Sequence, residues 1–498
     1  MKLSSIVGTL CAAGCAFATA TVSVKNGTYQ GFSVSSPKQD HFLGIPYAQA
    51  PVGSLRFRGP HSLNSTWKGA KKVVKFGNAC MQYTSVKAGK PILVVSINYR
   101  LSAFGFLWGS NELKAIGSAN NGLRDQRLAL HWIQENIAAF GGDPAKVTIF
   151  GQSGGGLSVG KQLIAYDGRD DNLFRAAIMQ SGSMNEKWPY NVADPVTYME
   201  DLYQNLTVTT GCANKRSELE CLRNLPLEQL SEALNITNTA VFSGTGLGPW
   251  LTVVDGDFLT NGPTESLLKG HFNMVPVMHT TTTDEASVFG FTDPVNTDSE
   301  FRAFVAAGGP DSETIDIIET LYPDVNALGL PAGYEPPNND TTFGLQYKRV
   351  NAYHTDVVET ASRRMTVDTW AATGGTAYSG RINILIPGSS AALGSHHAVE
   401  LDLVFNTIDS DNKEIKKMSK LMSRMWASFV ADLDPNNHGL TGYPSWPTRN
   451  VSNVDGVGSN FVFDTDGSSK TESHVEQDDF RLAQTLCIQK IFQSQLHY

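Results

Sequence analysis

The residues best suited to chemistry in this chain form the run Val147-Thr148-Ile149-Phe150-Gly151-Gln152-Ser153-Gly154-Gly155-Gly156. A β-branched stretch stops at Gly-Gln-Ser-Gly-Gly, and a helical pattern takes over from Leu157 to Ala165. This is a G-x-S-x-G elbow, a strand-to-helix turn so tight that glycine is expected two residues either side of Ser153. Such a turn lifts the hydroxyl clear of the backbone at the start of a helix, where developing negative charge is favoured. Serine attacks poorly unless a base takes its proton, and a carboxylate must hold that base in one tautomer. With a nucleophile on such an elbow, acid and base follow it in the chain. Of eleven histidines, eight come after Ser153: His271, His279, His354, His396, His397, His438, His474 and His497. Residue type alone does not choose among them.

The elements that must position these groups are legible as alternation. Short apolar runs rich in β-branched residues alternate with helical patterns, which predicts a mostly parallel sheet covered by helices, an α/β fold. Pro91 to Ile97 reads as a strand apolar on both faces, and Val147 to Phe150 as the strand that feeds the elbow. Ala176 to Met179 and Val275 to Met278 read as further strands. Arg124 to Ile137 and Ile415 to Val430 carry helical spacing, the latter through Ile415, Met418, Met422, Met425 and Phe429. The irregular segment from Glu186 to Phe272 suits a helical excursion above the sheet. No repeat and no long linker divides the chain, so residues 21–498 are expected to form one domain.

The N-terminus bounds the compartment. Lys2 precedes an apolar stretch from Ile6 to Phe17 that ends in Ala18-Thr19-Ala20, so residues 1–20 read as an export signal. Six N-x-S/T sequons, at Asn26, Asn64, Asn205, Asn235, Asn339 and Asn450, fit a secreted glycoprotein. Cys11 and Cys15 leave with the signal. Of the rest, Cys212 and Cys221 enclose a short loop and are expected to pair, whereas Cys80 and Cys487 have no obvious local partner. The net charge of −9 offers no basic face for nucleic acid. No run reaches the ~18–20 apolar residues that span a bilayer. No Cys/His cluster has metal-ligand spacing, and no metal or other cofactor is expected.

Longer motifs carry a resemblance. Phe42-Leu43-Gly44-Ile45-Pro46-Tyr47-Ala48, Pro51-Val52-Gly53-Ser54-Leu55-Arg56-Phe57 and Ser96-Ile97-Asn98-Tyr99-Arg100-Leu101-Ser102-Ala103-Phe104-Gly105-Phe106-Leu107 are in order along the chain. Asn121-Gly122-Leu123-Arg124-Asp125-Gln126, Phe140-Gly141-Gly142-Asp143-Pro144, Gln180-Ser181-Gly182-Ser183 and Trp446-Pro447 follow. Together they resemble the type-B carboxylesterase/lipase family, the cholinesterase-like α/β-hydrolases. Thr283-Asp284-Glu285-Ala286-Ser287-Val288-Phe289 looks like the family's acid segment, which makes Glu285, rather than Asp284, the orienting carboxylate. His397-Ala398-Val399-Glu400-Leu401-Asp402-Leu403-Val404-Phe405 looks like its base segment, which makes His397 the base and His396 a bystander. The resemblance thus implies a secreted serine ester hydrolase with a Ser153, Glu285, His397 triad, acting on a small-molecule ester. It leaves oligomeric state and substrate open.

The chain also departs from that family. An oxyanion hole needs the Gly154 N–H plus donors from a Gly-rich loop, and the family places that loop between a C-M-Q-like stretch and the V-V-S-x-N-Y-R strand. Here Cys80-Met81-Gln82 runs almost directly into Tyr83-Thr84-Ser85, and no glycine triplet precedes the elbow. The resemblance therefore implies an internal deletion near residues 82–85. It would remove the partner of Cys80 and a central strand between Ile92–Ile97 and Val147–Phe150, whose neighbours would have to re-pair. An omitted exon, a weakly active enzyme and a non-catalytic, neuroligin-like binding protein are the competing explanations, with a triacylglycerol lipase as the alternative chemistry. Smaller departures are Gln152 where glutamate is usual, Gly154 for alanine and Ala286 for glycine.

Overall fold

The computed structural model describes residues 20–35, 38–72, 85–185, 195–241, 249–289, 294–337, 342–451, 457–468 and 473–494. Residues 1–19 of the leader, Cys80, the Gln82–Tyr83 junction, Asn339 and His497 lie outside them.

The described chain divides into two compact units. The smaller, built from residues 1–46 and 63–78, holds five short strands: β1 (Thr21–Val24), β2 (Gly27–Gln30), β3 (Phe32–Ser35), β4 (Lys38–His41) and β5 (Ala70–Lys72). β1 and β2 form an antiparallel hairpin extended in parallel by β5, and β3 pairs with β4.

The larger unit is organised by a six-stranded sheet of β6 (Thr148–Gln152), β7 (Ala176–Gln180), β8 (Val277–Thr282), β9 (Ala377–Ile384), β10 (Ser459–Thr465) and β11 (His474–Gln477). The order is β11-β10-β9-β8-β7-β6; β6 through β10 run parallel, and β11 closes the far edge antiparallel. Side chains alternate between the two faces of such a sheet. Ala177, Met179 and Val277 enter one core with the helices Asn121–Asn136 and Gly154–Gly168. Ala176, Ile178 and Met278 enter the other, under the helix Lys413–Asp432. That helix presents Ile415, Met418, Met422, Met425 and Phe429 to the sheet, all fully buried, and Asn412 caps its start by accepting from the Glu414 and Ile415 N–H groups. The region after residue 186 is the expected excursion: helices Pro195–Thr209, Glu218–Asn224 and Leu227–Val241 form a third core, and Cys212 and Cys221 within it are joined by a disulfide.

One expected strand does not form. Pro91 to Ile97 pairs with no strand among the described residues, and Leu93 and Val95 are exposed. Its composition suits a strand, but a ladder needs a partner, and the expected re-pairing with β6 does not occur. β6 is consequently an edge strand: all five of its residues are half-buried, whereas all five of β7 are buried. β8 also begins at Val277, two residues later than the apolar run, because Pro276 lacks the N–H that a ladder uses.

Candidate active site

In an open parallel sheet, ligands meet the carboxyl ends of the strands, and the candidate residues gather there. Ser153 follows β6, Ser181 follows β7, Glu285 lies three residues beyond β8, and His397 is in the loop after β9. Ser153 takes φ +58° and ψ −127°, a left-handed strain for a residue with a side chain, and caps the helix Gly154–Gly168. β7 holds the turn in place: the Ser153 N–H donates to Gln180 O at 2.9 Å, and the Leu157 N–H returns to Ser153 O at 2.9 Å. A Cβ on Gly151 would lie 2.1 Å from Gly155 O, so glycine is obligatory there. Gly155, expected to be equally constrained, has open space around it. The second tight position is Gly156, against Gln180 O and Gly182.

Glu285 is completely buried at the start of a 3-10 turn. One of its oxygens accepts from Ser181 Oγ at 2.6 Å and from the Thr282 N–H at 2.5 Å. The other lies 2.6 Å from His397 Nδ1. Two fixed donors on one oxygen leave the second aimed at the ring, so Nδ1 carries the proton and Nε2 is the free base. Burial works against the imidazolium, but the Glu285 charge, its hydrogen bond and, more weakly, Glu400 outweigh it, and the His397 pKa is raised. Phe289 packs its ring 4.9 Å from the imidazole.

Asp284 and His396, the neighbours set aside by the motif, have structural partners. Asp284 Oδ2 accepts from the Ser395 N–H at 2.7 Å, the Asp284 N–H donates to Ser395 O at 3.0 Å, and the two loops form a parallel bridge between Asp284 and His396. This stitch ties the loop bearing His397 to the loop bearing Glu285. His396 Nδ1 sits 2.9 Å from His397 O. Ala398 takes φ +68°, so strain flanks the histidine as it does the serine.

Three participants escaped the sequence reading. Gln152 Nε2 lies 3.1 Å from His397 Nε2. Glu400, fully buried, accepts from Gln180 Nε2 at 2.7 Å, and burial followed by the Glu285 charge pushes its pKa up to about 7. Glu359 is buried in the π-helical turn Asp356–Thr360, with a carboxylate oxygen within 4.8 Å of ligand atoms of both Glu285 and His397. Each of the three offers a ligand atom within 4.8 Å of the others, and Nδ1 of His397 and one oxygen of Glu285 are joined by the 2.6 Å hydrogen bond. Glu400 had a signal, since it lies three residues after the histidine. Glu359 had none, because a π turn shifts the helical register that a pattern relies on.

Gly154 is the first residue of its helix, so its N–H is an orphan donor beside the serine. Asn64, Asn205, Asn235 and Asn450 are exposed, while Asn26 is half-buried and donates through Nδ2 to Ser65 O. Cys487 has no disulfide partner among the described residues. No helix among the described residues is long and apolar enough to cross a membrane.

A doubly wound, mostly parallel sheet with a strained serine at the turn from β6 into its helix defines an α/β-hydrolase. The crystal structure of Aspergillus niger EstA superposes on it with a TM-score of 0.78 at 23% identity, over 97% of this chain and 99% of that one. The chain belongs to the carboxylesterase family, whose model matches residues 18–93 and 86–462. Lipase 4 of Diutina rugosa is 31% identical over 92% of this chain and 94% of its own, and secreted lipase 1 of Botryotinia fuckeliana is 35% identical over 73% and 62%. The alignment with the Diutina lipase runs over 546 positions, more than the 498 residues of this chain, so that relative carries stretches absent here. The family match also breaks into two pieces at 86–93, just after the Gln82–Tyr83 junction.

Proposed function

We propose that the chain is a secreted serine ester hydrolase working by two-step acyl transfer, with Ser153 as nucleophile, His397 as base and Glu285 as the carboxylate that fixes its tautomer. The observation that carries this reading is the 2.6 Å contact between His397 Nδ1 and a Glu285 whose other oxygen is pinned by two donors. His397 Nε2 takes the Ser153 proton as Oγ bonds to the ester carbonyl carbon, and the imidazolium then protonates the departing alkoxide. Water, deprotonated by the same nitrogen, attacks the acyl-serine, and the acid leaves as Ser153 regains its proton. The orphan Gly154 N–H is the donor for the tetrahedral oxyanion. A deletion near 82–85 would leave it without the Gly-rich loop, and removing even one such donor slows turnover ~100- to 1000-fold. Secretion is supported by the leader pattern and by relatives named as secreted lipases. Exposed sequons at Asn64, Asn205, Asn235 and Asn450 suit glycosylation.

The test is hydrolysis of a short-chain nitrophenyl ester by purified protein beside Ser153→Ala. Wild-type turnover with a dead variant is expected; equal rates reject the assignment. A second reading, triacylglycerol hydrolysis, is favoured by the relatives named as lipases, among them a secreted triacylglycerol lipase of Gibberella zeae. A long-chain triglyceride emulsion split faster than the short ester would select it. Transcript reads across the Gln82–Tyr83 junction decide whether the deletion belongs to the mature message.

A further inference from the structure

We propose that Gln152 is a positioning residue that occupies the His397 lone pair in the resting protein and must release it before Ser153 can be deprotonated. The inference rests on the Ser153 and His397 assignment above. Nδ1 of His397 donates to Glu285, so a neutral ring presents a single acceptor, the Nε2 lone pair. Gln152 Nε2 lies 3.1 Å from that atom and is its hydrogen-bond partner among the described residues. The amide orientation follows from the tautomer: an oxygen facing a lone pair would repel it, so the NH2 group donates. Ser153 Oγ–H needs the same lone pair. One acceptor cannot serve two donors in line, so the two residues compete for the base.

The backbone makes this competition local. Gln152 is the last residue of β6 and stays in register opposite Gln180, while the left-handed turn at Ser153 follows it directly. The amide is therefore carried by the ladder and the hydroxyl by the elbow. Release of the latch requires only side-chain torsion at Gln152. The ring itself stays fixed through Glu285, and the other carboxylates near it, Glu400 and Glu359, are held on separate elements. Once Ser153 has given up its proton, Nε2–H becomes a donor, and a flipped Gln152 amide offers its oxygen to it.

The test compares Gln152→Met, which keeps the length and loses the donor, with Gln152→Glu, which keeps the shape and can only accept. The readout is the rate at which a fluorophosphonate labels Ser153: the serine oxygen bonds to phosphorus, fluoride leaves, and the serine proton passes to His397. Rates are taken from pH 5 to 9, with Ser153→Ala as blank and a thermal melt of each variant. Gln152→Met is expected to label about three- to tenfold faster than wild type, the worth of one displaced hydrogen bond. Gln152→Glu, accepting from the imidazolium, is expected to move the acid limb to higher pH. A purely structural role moves both variants the same way, through lower melting temperature and slower labelling. Wild-type labelling with a Gln152→Met rate no faster than wild type overturns the latch while leaving the serine assignment intact. Absence of Ser153-dependent labelling in every protein overturns both.

Discussion

Glu285→Gln is the most incisive perturbation of the site, because it changes one atom and leaves the shape. In the native protein one Glu285 oxygen accepts from Ser181 Oγ and the Thr282 N–H, and the other faces His397 Nδ1 at 2.6 Å. A glutamine must place its oxygen where the two fixed donors converge, since an NH2 group there would meet the Thr282 N–H head-on. Its Nε2 then faces His397 Nδ1. The amide can only donate, so Nδ1 must become the acceptor and the ring proton must move to Nε2. That nitrogen now points a proton, instead of a lone pair, toward the serine. The base is thus present, in place and in the wrong tautomer, a change that lowers kcat by ~10⁴ where the same exchange is made in a Ser-His-Asp triad. Stability should change little, because the two donors keep their acceptor and a fully buried charge is removed. The assay is nitrophenyl ester hydrolysis with active serine counted by fluorophosphonate labelling, beside a thermal melt. A Glu285→Gln variant within tenfold of wild type would refute the reasoning. Glu359, whose carboxylate lies within 4.8 Å of the same ring, would then be the acid, and Glu359→Gln should be the inactive variant.

Further outcomes follow from the same geometry. Glu400 has its pKa raised from 4.5 to about 7, so its contribution to stability is complete below pH 4.5 and is lost as pH rises through 7; Glu400→Gln should gain of order 1–3 kcal/mol relative to wild type at pH 8 and nothing at pH 4, read from paired melts. Because Glu400 also helps raise the His397 pKa, the same variant should shift the acid limb of ester hydrolysis to lower pH. At the elbow, Gly151→Ala should cost about 3 kcal/mol or more and abolish activity, since its Cβ meets the Gly155 carbonyl at 2.1 Å. Gly155→Ala, with nothing within 4 Å, should leave stability unchanged or raise it by up to ~1 kcal/mol.

How far the sequence carried the site depended on whether the information was local. Ser153, Glu285 and His397 are each embedded in a short ordered motif, and the structure places all three beyond the carboxyl ends of β6, β8 and β9 of one sheet. The helix Lys413–Asp432 was legible for the same reason, since its apolar stripe states which face is buried. The contact between Gln152 and His397 joins the end of β6 to the loop after β9, and nothing in either segment announces it. Asp284 looked like a spare carboxylate and is instead the stitch between two loops, a role fixed by Ser395 on another element. Pro91 to Ile97 marks the limit most sharply. Its composition is that of a buried strand, yet strand formation is a property of pairs, and composition does not say whether the partner is encoded.

That unpaired strand also explains which part of the site persists without its neighbour. With β6 at the edge, the elbow is held from the β7 side: the Ser153 N–H bonds Gln180 O, Gly156 packs against that same carbonyl, and Gly182 lies against Ser153 O. Glu285 is likewise held from β7 and β8, through Ser181 and Thr282, and His397 through the Asp284–Ser395 bridge. The proposed nucleophile, acid and base are therefore positioned by β6, β7, β8 and the loop after β9. An oxyanion loop would reach the serine from beyond β6, on the side where the ladder ends and Leu93 and Val95 stand exposed. Loss of that side predicts an enzyme damaged in one specific way. Its serine should still be labelled by a fluorophosphonate, a single displacement with a good leaving group, though more slowly because the phosphoryl oxygen draws on the same donors. Its esters should turn over slowly, because the Gly-rich donors for the charge on the tetrahedral intermediate would be missing. Ser153-dependent labelling with slow turnover is thus the kinetic signature of this architecture, and absence of labelling would place the defect in the triad instead.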